Sequence, residues 1–291
     1  MAADRRRTKA PAGARPSKSA RPLPTPDPPP VAEAQWLLCR WCPARVGKPA
    51  LGSRRRRQFG YKIVLATGND TDRVLELMQR TFFKDEPAVV GCGLNPSNLS
   101  EDLQRYMVGD LSAGKALLAV DGADRLLGVC LGGEVTKDSQ QKLLQKANDC
   151  GDERAATLLR FWAHLVQVSR LPEVLGASRS WEVEKLATDP AARGRGIAKE
   201  LTVQSLALAL QKGFPTVCVF CTSEFSGRLC RSLKMRHLVD FPYSEYRDQH
   251  GRQLISPPPP HEHVNIYGDD LRAGHTSTAN KSKAKVSTAN R

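Results

Sequence analysis

The sequence lacks any apolar run near the ~18 residues that a membrane-spanning helix needs, and its first ten residues, MAADRRRTKA, lack the hydrophobic segment of a secretory signal. The chain is therefore expected to be cytoplasmic, with no membrane partner. The Arg-rich start has the composition of a mitochondrial presequence, but its prolines would break the amphipathic helix such a leader uses. A cysteine framework is also missing. Of eight cysteines, only Cys39 with Cys42 and Cys218 with Cys221 form close pairs, and each lacks the second pair of a structural zinc site. Cys218 and Cys221 fall in an apolar run, VCVFC, that reads as a strand; residues three apart on a strand point to opposite faces and share no ion. No metal is expected. Neither the dinucleotide fingerprint G-x-G-x-x-G nor a phosphate loop ending in Gly-Lys-Ser/Thr is present.

Positive charge is in excess, but not everywhere. The 291 residues hold 44 Lys+Arg against 30 Asp+Glu, a net charge of +14, which on its own invites a nucleic-acid reading. Residues 1–57 carry 14 basic and 3 acidic side chains and residues 268–291 carry 5 and 2, leaving 25 of each in 58–267. The central 210 residues are neutral and long enough for a full-sized core. Three parts follow: a disordered basic, Pro-rich extension over 1–57, a folded domain over 58–267, and a disordered tail over 268–291. The extension holds 10 of the 20 prolines, a composition that cannot pack. Its arginines at Arg54 to Arg57 read either as a solvated linker or as a patch for nuclear entry, nucleic acid or an acidic partner.

Within the domain, strands and helices interleave. Alternation marks strands at 61–66, 115–120, 126–135, 180–187 and 215–221, with terminal strands at 238–246 and 263–267. The turn DGADR joins the second and third as a hairpin. Helical spacing covers 70–82, 97–111, 138–175, 196–211 and 224–233. Hairpins mixed with crossovers predict an α/β fold with a mixed sheet flanked by helices.

The chemistry concentrates in residues 181–200, WEVEKLATDPAARGRGIAKE. Trp181 and Val183 alternate with Glu182 and Glu184, and the apolar phase then slips at Lys185–Leu186, which predicts a β-bulge. A bulge frees backbone groups for an extended ligand. Beyond it Arg193-Gly194-Arg195-Gly196-Ile197-Ala198 opens a helix, where small residues let backbone N–H groups approach an anion and the helix dipole favours it. Arg193, Arg195 and Lys199 add charge suited to phosphate.

Strand, bulge, R-x-x-G-x-A and helix together resemble the acetyl-CoA signature of the GCN5-related N-acetyltransferases. The resemblance implies a mostly antiparallel central sheet, the acyl-CoA N-acyltransferase fold, with acetyl-CoA as cosubstrate. It assigns pantetheine contacts to Leu186, Ala187 and Thr188, and diphosphate contacts to Arg193, Gly194, Arg195, Gly196, Ile197, Ala198 and Lys199. Ser223-x-x-Ser226 stands where that family often has Asn-x-x-Ala, Leu233-Lys234-Met235 where it has Leu-Gly-Phe, and Cys230 where it often has a proton-donating tyrosine. Phe82-Phe83-Lys84-Asp85-Glu86-Pro87, with the helical insertion at 138–175 and Pro260-His261, is similar to the insect-type arylalkylamine N-acetyltransferases. That likeness makes Glu86 the general base, acting through water, with Thr222 and Ser226 assisting at the thiolate and Ser226 touching the cofactor. It implies a monomer transferring acetyl directly to a small arylalkylamine such as dopamine, tyramine, serotonin or tryptamine.

The rivals are a protein or polyamine acetyltransferase of the same fold and a non-catalytic CoA-binding module with basic arms. A polyamine or histone-tail acceptor calls for a carboxylate-rich groove, and the sequence brings only Asp85 and Glu86 there. Ser223 or Ser226 reads equally as a helix cap, His261 as a loop residue, and Tyr243 and Tyr246 as packing residues with a hydroxyl to spare.

Overall fold

The computed structural model describes residues 60–272, apart from 96 and 98. The expected extension over 1–57, with Cys39, Cys42 and the Arg54 to Arg57 run, lies outside the described residues, as does the tail beyond 272. The strands are β1 (Tyr61–Leu65), β2 (Ala116–Asp121), β3 (Leu126–Thr136), β4 (Arg179–Thr188), β5 (Thr216–Cys221), β6 (His237–Pro242) and β7 (His263–Asp270). They form one sheet in the order β1-β2-β3-β4-β5-β7-β6. Every pairing is antiparallel except β4 with β5. β7 runs three residues beyond the expected end at 267, and Leu271 after it is buried.

β2 and β5 read as nearly continuous apolar runs because both faces of the sheet are covered there. On one face Leu118, Val120, Val129 and Cys218 pack with Val74, Leu77 and Met78 of α1 (Thr71–Arg80). The same core takes Leu158, Phe161 and Leu165 from the long helix of the insertion. On the other face Leu117, Ala119, Trp181, Val217 and Cys221 pack with Ile197, Leu201 and Leu206. Cys218 and Cys221 thus lie on opposite faces, as strand geometry demands.

The helical elements expected from sequence are present with shifted ends. The expected 70–82 helix stops at Arg80, and two short helices follow it, α2 (Phe82–Asp85) and α3 (Pro87–Gly91). The helix expected from 97 begins later, as α4 (Glu101–Val108), because Ser100 caps it by accepting the Leu103 N–H. The insertion breaks into α5 (Ser139–Asn148), α6 (Glu153–Ser169) and α7 (Leu171–Leu175). On the opposite face lie α8 (Ile197–Gln211) and α9 (Glu224–Ser232).

Two local features position the site. β3 faces Lys185 with Leu131 and Val183 with Gly132, so Glu184 is the extra residue of a bulge. The expected slip at Lys185–Leu186 is therefore displaced by one residue. Gly132 is small for a reason: a Cβ there would stand 2.2 Å from the Trp181 ring and 2.7 Å from the Lys115 carbonyl oxygen. The indole N–H of Trp181 in turn donates to Ser205 Oγ on α8 at 2.9 Å, tying β4 to that helix.

Candidate active site

β4 and β5 pair only through Trp181 with Val217 and Glu182 with Cys218. Beyond Glu182 the two strands part. From Val183 to Thr188, β4 remains paired to β3 on one side, while among the described residues no strand pairs with its other edge. Leu186, Ala187 and Thr188 sit on this edge, so their free backbone groups can accept an extended ligand as an added strand. The loop after β4 supplies the second half of the cradle. Gly194 and Gly196 adopt φ of +76° and +77°, the left-handed region that favours glycine. Gly196 is the N-cap of α8 and no side chain caps that end. The first-turn N–H groups of Ile197, Ala198 and Lys199 are left for an anion, the Ile197 side chain being buried in the core. Arg193 reaches Asp85 at 3.0 Å, and the Arg195 guanidinium lies 5.7 Å from the centre of the Tyr61 ring. These residues fit a diphosphate-bearing cofactor with a linear arm.

A cavity of about 260 Å³ lies nearby, lined by residues from α2, α4, α5, α6, β3, β4 and β5. Glu86 and Thr222 both line it. Glu86 follows α2 and caps α3: its side chain accepts the Val89 N–H at 2.5 Å, and Pro87 starts the helix. Burial lifts the Glu86 carboxyl above the usual carboxylate range. Hydrogen bonds from the Thr222 hydroxyl and from the Val89 and Ala88 N–H groups, with the Lys185 ammonium, oppose that rise. Glu86 and Thr222, 136 positions apart in sequence, are brought together in the wall of one cavity. Tyr243 steadies it: its hydroxyl donates to the Thr222 carbonyl at 2.8 Å, and its ring stacks on Phe161 at 5.5 Å.

Ser226 stands apart from this cavity. Ser223 is the cap of α9, accepting the Ser226 N–H at 3.1 Å, and the Ser226 hydroxyl donates to the Ser223 carbonyl at 2.9 Å. Of the two serines, then, Ser223 has the capping role. Next to Ser226, the buried thiols of Cys221 and Cys230 lie 3.5 Å apart. His261 also has structural work: its Nδ1 accepts the Glu224 N–H at the start of α9, at 3.2 Å. Its ring meets Phe225 edge-on.

The expectation of an acid-poor acceptor groove is corrected. Besides Glu86, the cavity is lined by Glu134, Glu182 and Glu184, with Lys142 and Lys185 as its cations. Sequence alternation assigned Glu182 and Glu184 to the polar face of a strand, with no means of seeing that α5 and α6 close over that face. Among the described residues no helix is long and apolar enough to cross a membrane.

No family model matches the chain. Solved structures do. An arylalkylamine N-acetyltransferase 2 from Aedes aegypti superposes with a TM-score of 0.67 at 26% identity, covering 72% of this chain and 99% of that one. A mosquito arylalkylamine N-acetyltransferase-like protein 5b gives 0.68 at 21% identity, over 72% and 99%. A Drosophila melanogaster polyamine N-acetyltransferase that forms N-acetylagmatine gives 0.66 at 20%, again over 72% and 99%.

Proposed function

We propose that this chain, an N-acetyltransferase with the fold of the GCN5-related enzymes, moves acetyl from acetyl-CoA to the primary amine of a small molecule. The observation that carries the reading is one arrangement. A buried carboxylate, Glu86, faces the same cavity as Thr222 beside the point where β4 loses its second neighbour.

An alkyl amine with a pKa near ~10.4 is about one part in 10³ unprotonated at neutral pH. Attack on a thioester therefore needs a base. Glu86, its proton affinity raised by burial, takes the ammonium proton directly or through water. The free edge of β4 offers an N–H to the thioester oxygen as it gains charge. Leu186, Ala187 and Thr188 hold the pantetheine arm, and Arg193 to Lys199 the diphosphate. Acetyl-CoA supplies the activated acyl group. Ser226 assists the departing sulfur after its hydroxyl turns away from the Ser223 carbonyl, a side-chain rotation that is fast on the time scale of turnover. Both substrates are bound together, with no acetyl-enzyme.

Phe82, Tyr106, Trp162 and Phe220 line the same cavity, which supports an acceptor with an apolar body, as arylalkylamines have. The non-catalytic alternative gives no reason for keeping a costly buried carboxylate at that point. Thiol release from acetyl-CoA, followed across a panel of small primary amines, tests the reading: amine-dependent release is expected, and its absence with every amine removes it. Thr222→Val carries a sharper expectation. The Thr222 hydrogen bond holds the Glu86 pKa down, so its loss raises that pKa further. The acid limb of the kcat/KM profile then moves to higher pH, with about a tenfold loss of activity near neutrality.

A further inference from the structure

Most of the charge in the acceptor cavity is already answered. Glu134 faces Lys115 at 3.7 Å and Arg179 at 3.9 Å. Glu184 is paired with the buried ammonium of Lys185. Glu86 has its N–H donors and Thr222. Glu182 is the exception: it lines the cavity, and its carboxylate has no hydrogen bond or ion pair among the described residues. The fold maintains this. Glu182 stands on β4 opposite Gly133, and a Cβ on Gly133 would come within 2.8 Å of Glu184 Oε2. Gly133 thus leaves both carboxylates room on one wall. Glu182 is part-buried, and an unpaired carboxylate there is costly unless a counter-charge arrives. Burial, then the neighbouring Glu184, pushes the Glu182 carboxyl up to about 8, with only Lys185 opposing. The ring of Tyr106 lies in the same cavity, and Tyr106 is raised in pKa by burial and by both Glu184 and Glu182. The Lys146 ammonium already lies 4.6 Å from the centre of that ring, so a further cation depends on the carboxylates rather than on Tyr106.

We propose that Glu182, with Glu184 beside it, holds a second ammonium group of the acceptor, so that a diamine is acetylated in preference to a monoamine of the same length. The proposal rests on the acetyltransferase reading above and names the substrate class for its site. The reacting amine lies toward Glu86, and the second cation lies deeper along β4, where that strand is still paired with β5. The apolar walls then contact the methylene chain between them.

The full chain is assayed with saturating acetyl-CoA against 1,4-diaminobutane and 1,5-diaminopentane, each compared with butylamine or pentylamine. The expected result is a kcat/KM at least tenfold higher for the diamine, expressed mainly in KM. In Glu182→Gln that ratio collapses to within twofold of one, and in Glu182→Asp, which retracts the carboxylate by one methylene, it falls to an intermediate value. A wild-type ratio near one overturns the proposal. So does a ratio that survives Glu182→Gln, or a variant that loses kcat equally on every amine, the signature of a proton acceptor. Calorimetric titration with 1,4-diaminobutane and butylamine separates this from the wider reading. If no amine is acetylated, tighter diamine binding that weakens in Glu182→Gln still supports the anchor, and equal binding of the two overturns it. Unchanged thermal melts and circular dichroism certify each variant as folded.

Discussion

Glu86→Gln lowers kcat/KM by about 10²- to 10³-fold near neutral pH, within the range that positioned proton transfer contributes, while the fold becomes more stable. The two effects share a cause. Burial raises the Glu86 pKa, so the native state binds a proton that the unfolded chain has already released. The stability this group contributes is present below the ordinary carboxylate pKa and is lost as pH rises through the raised value. The substituted amide keeps an oxygen for the Val89 N–H that Glu86 now accepts and carries no charge to desolvate. The variant's Tm therefore exceeds that of the wild type at pH 7–8 and matches it near pH 4. The kinetic deficit has its own window. Below the Glu86 pKa the wild-type base is protonated and its advantage vanishes, and above about pH 10 free amine is abundant. The deficit is largest between these limits. Thermal melts and a kcat/KM profile on one preparation check both halves. A variant less stable at pH 7, or a deficit constant across pH, would remove Glu86 from the role of base.

Glu86 also shows how far sequence reasoning reached and where it stopped. The local features were legible in part: the Gly-rich opening of α8 was read from its residues, whereas the short helix that Pro87 starts was not expected. The strand order was only partly so, because antiparallel hairpins announce themselves by short turns whereas the β4–β5 crossover does not. Nothing in the alternation of Trp181, Glu182, Val183 and Glu184 discloses that β5 accompanies β4 for two residues and then leaves it. That departure is a product of packing. So is the acidity of the acceptor cavity, which needs β3, β4 and the two insertion helices to meet. Pairings over long sequence separations, Thr222 with Glu86 or Tyr243 with Thr222, carry no periodic signal. The +14 net charge misled in the opposite direction: it is a sum over the whole chain, whereas the charges that concern the chemistry are a few side chains on the α8 loop and around the cavity.

Gly196→Asp weakens acetyl-CoA binding by about 100-fold or more, roughly 2.7 kcal/mol, whereas Gly196→Asn costs only severalfold. The pair is chosen to separate backbone from charge. Gly196 has φ of +77°, where asparagine and aspartate are the side chains tolerated best, and a Cβ there meets nothing within 4 Å. Both variants therefore carry a similar conformational cost, with no steric difference between them. They differ in one unit of charge placed at the uncapped start of α8, where the helix dipole and the Ile197 to Lys199 N–H groups favour an anion. The introduced carboxylate occupies that site itself and repels the diphosphate. Since repulsion between exposed charges is screened by salt, the aspartate variant regains affinity as ionic strength rises, while the asparagine variant does not. Isothermal titration with CoA at low and moderate salt reads all four values. Equal affinities for Gly196→Asp and Gly196→Asn would mean that the phosphates bind elsewhere, and would leave the open edge of β4 as the only anchor for the cofactor.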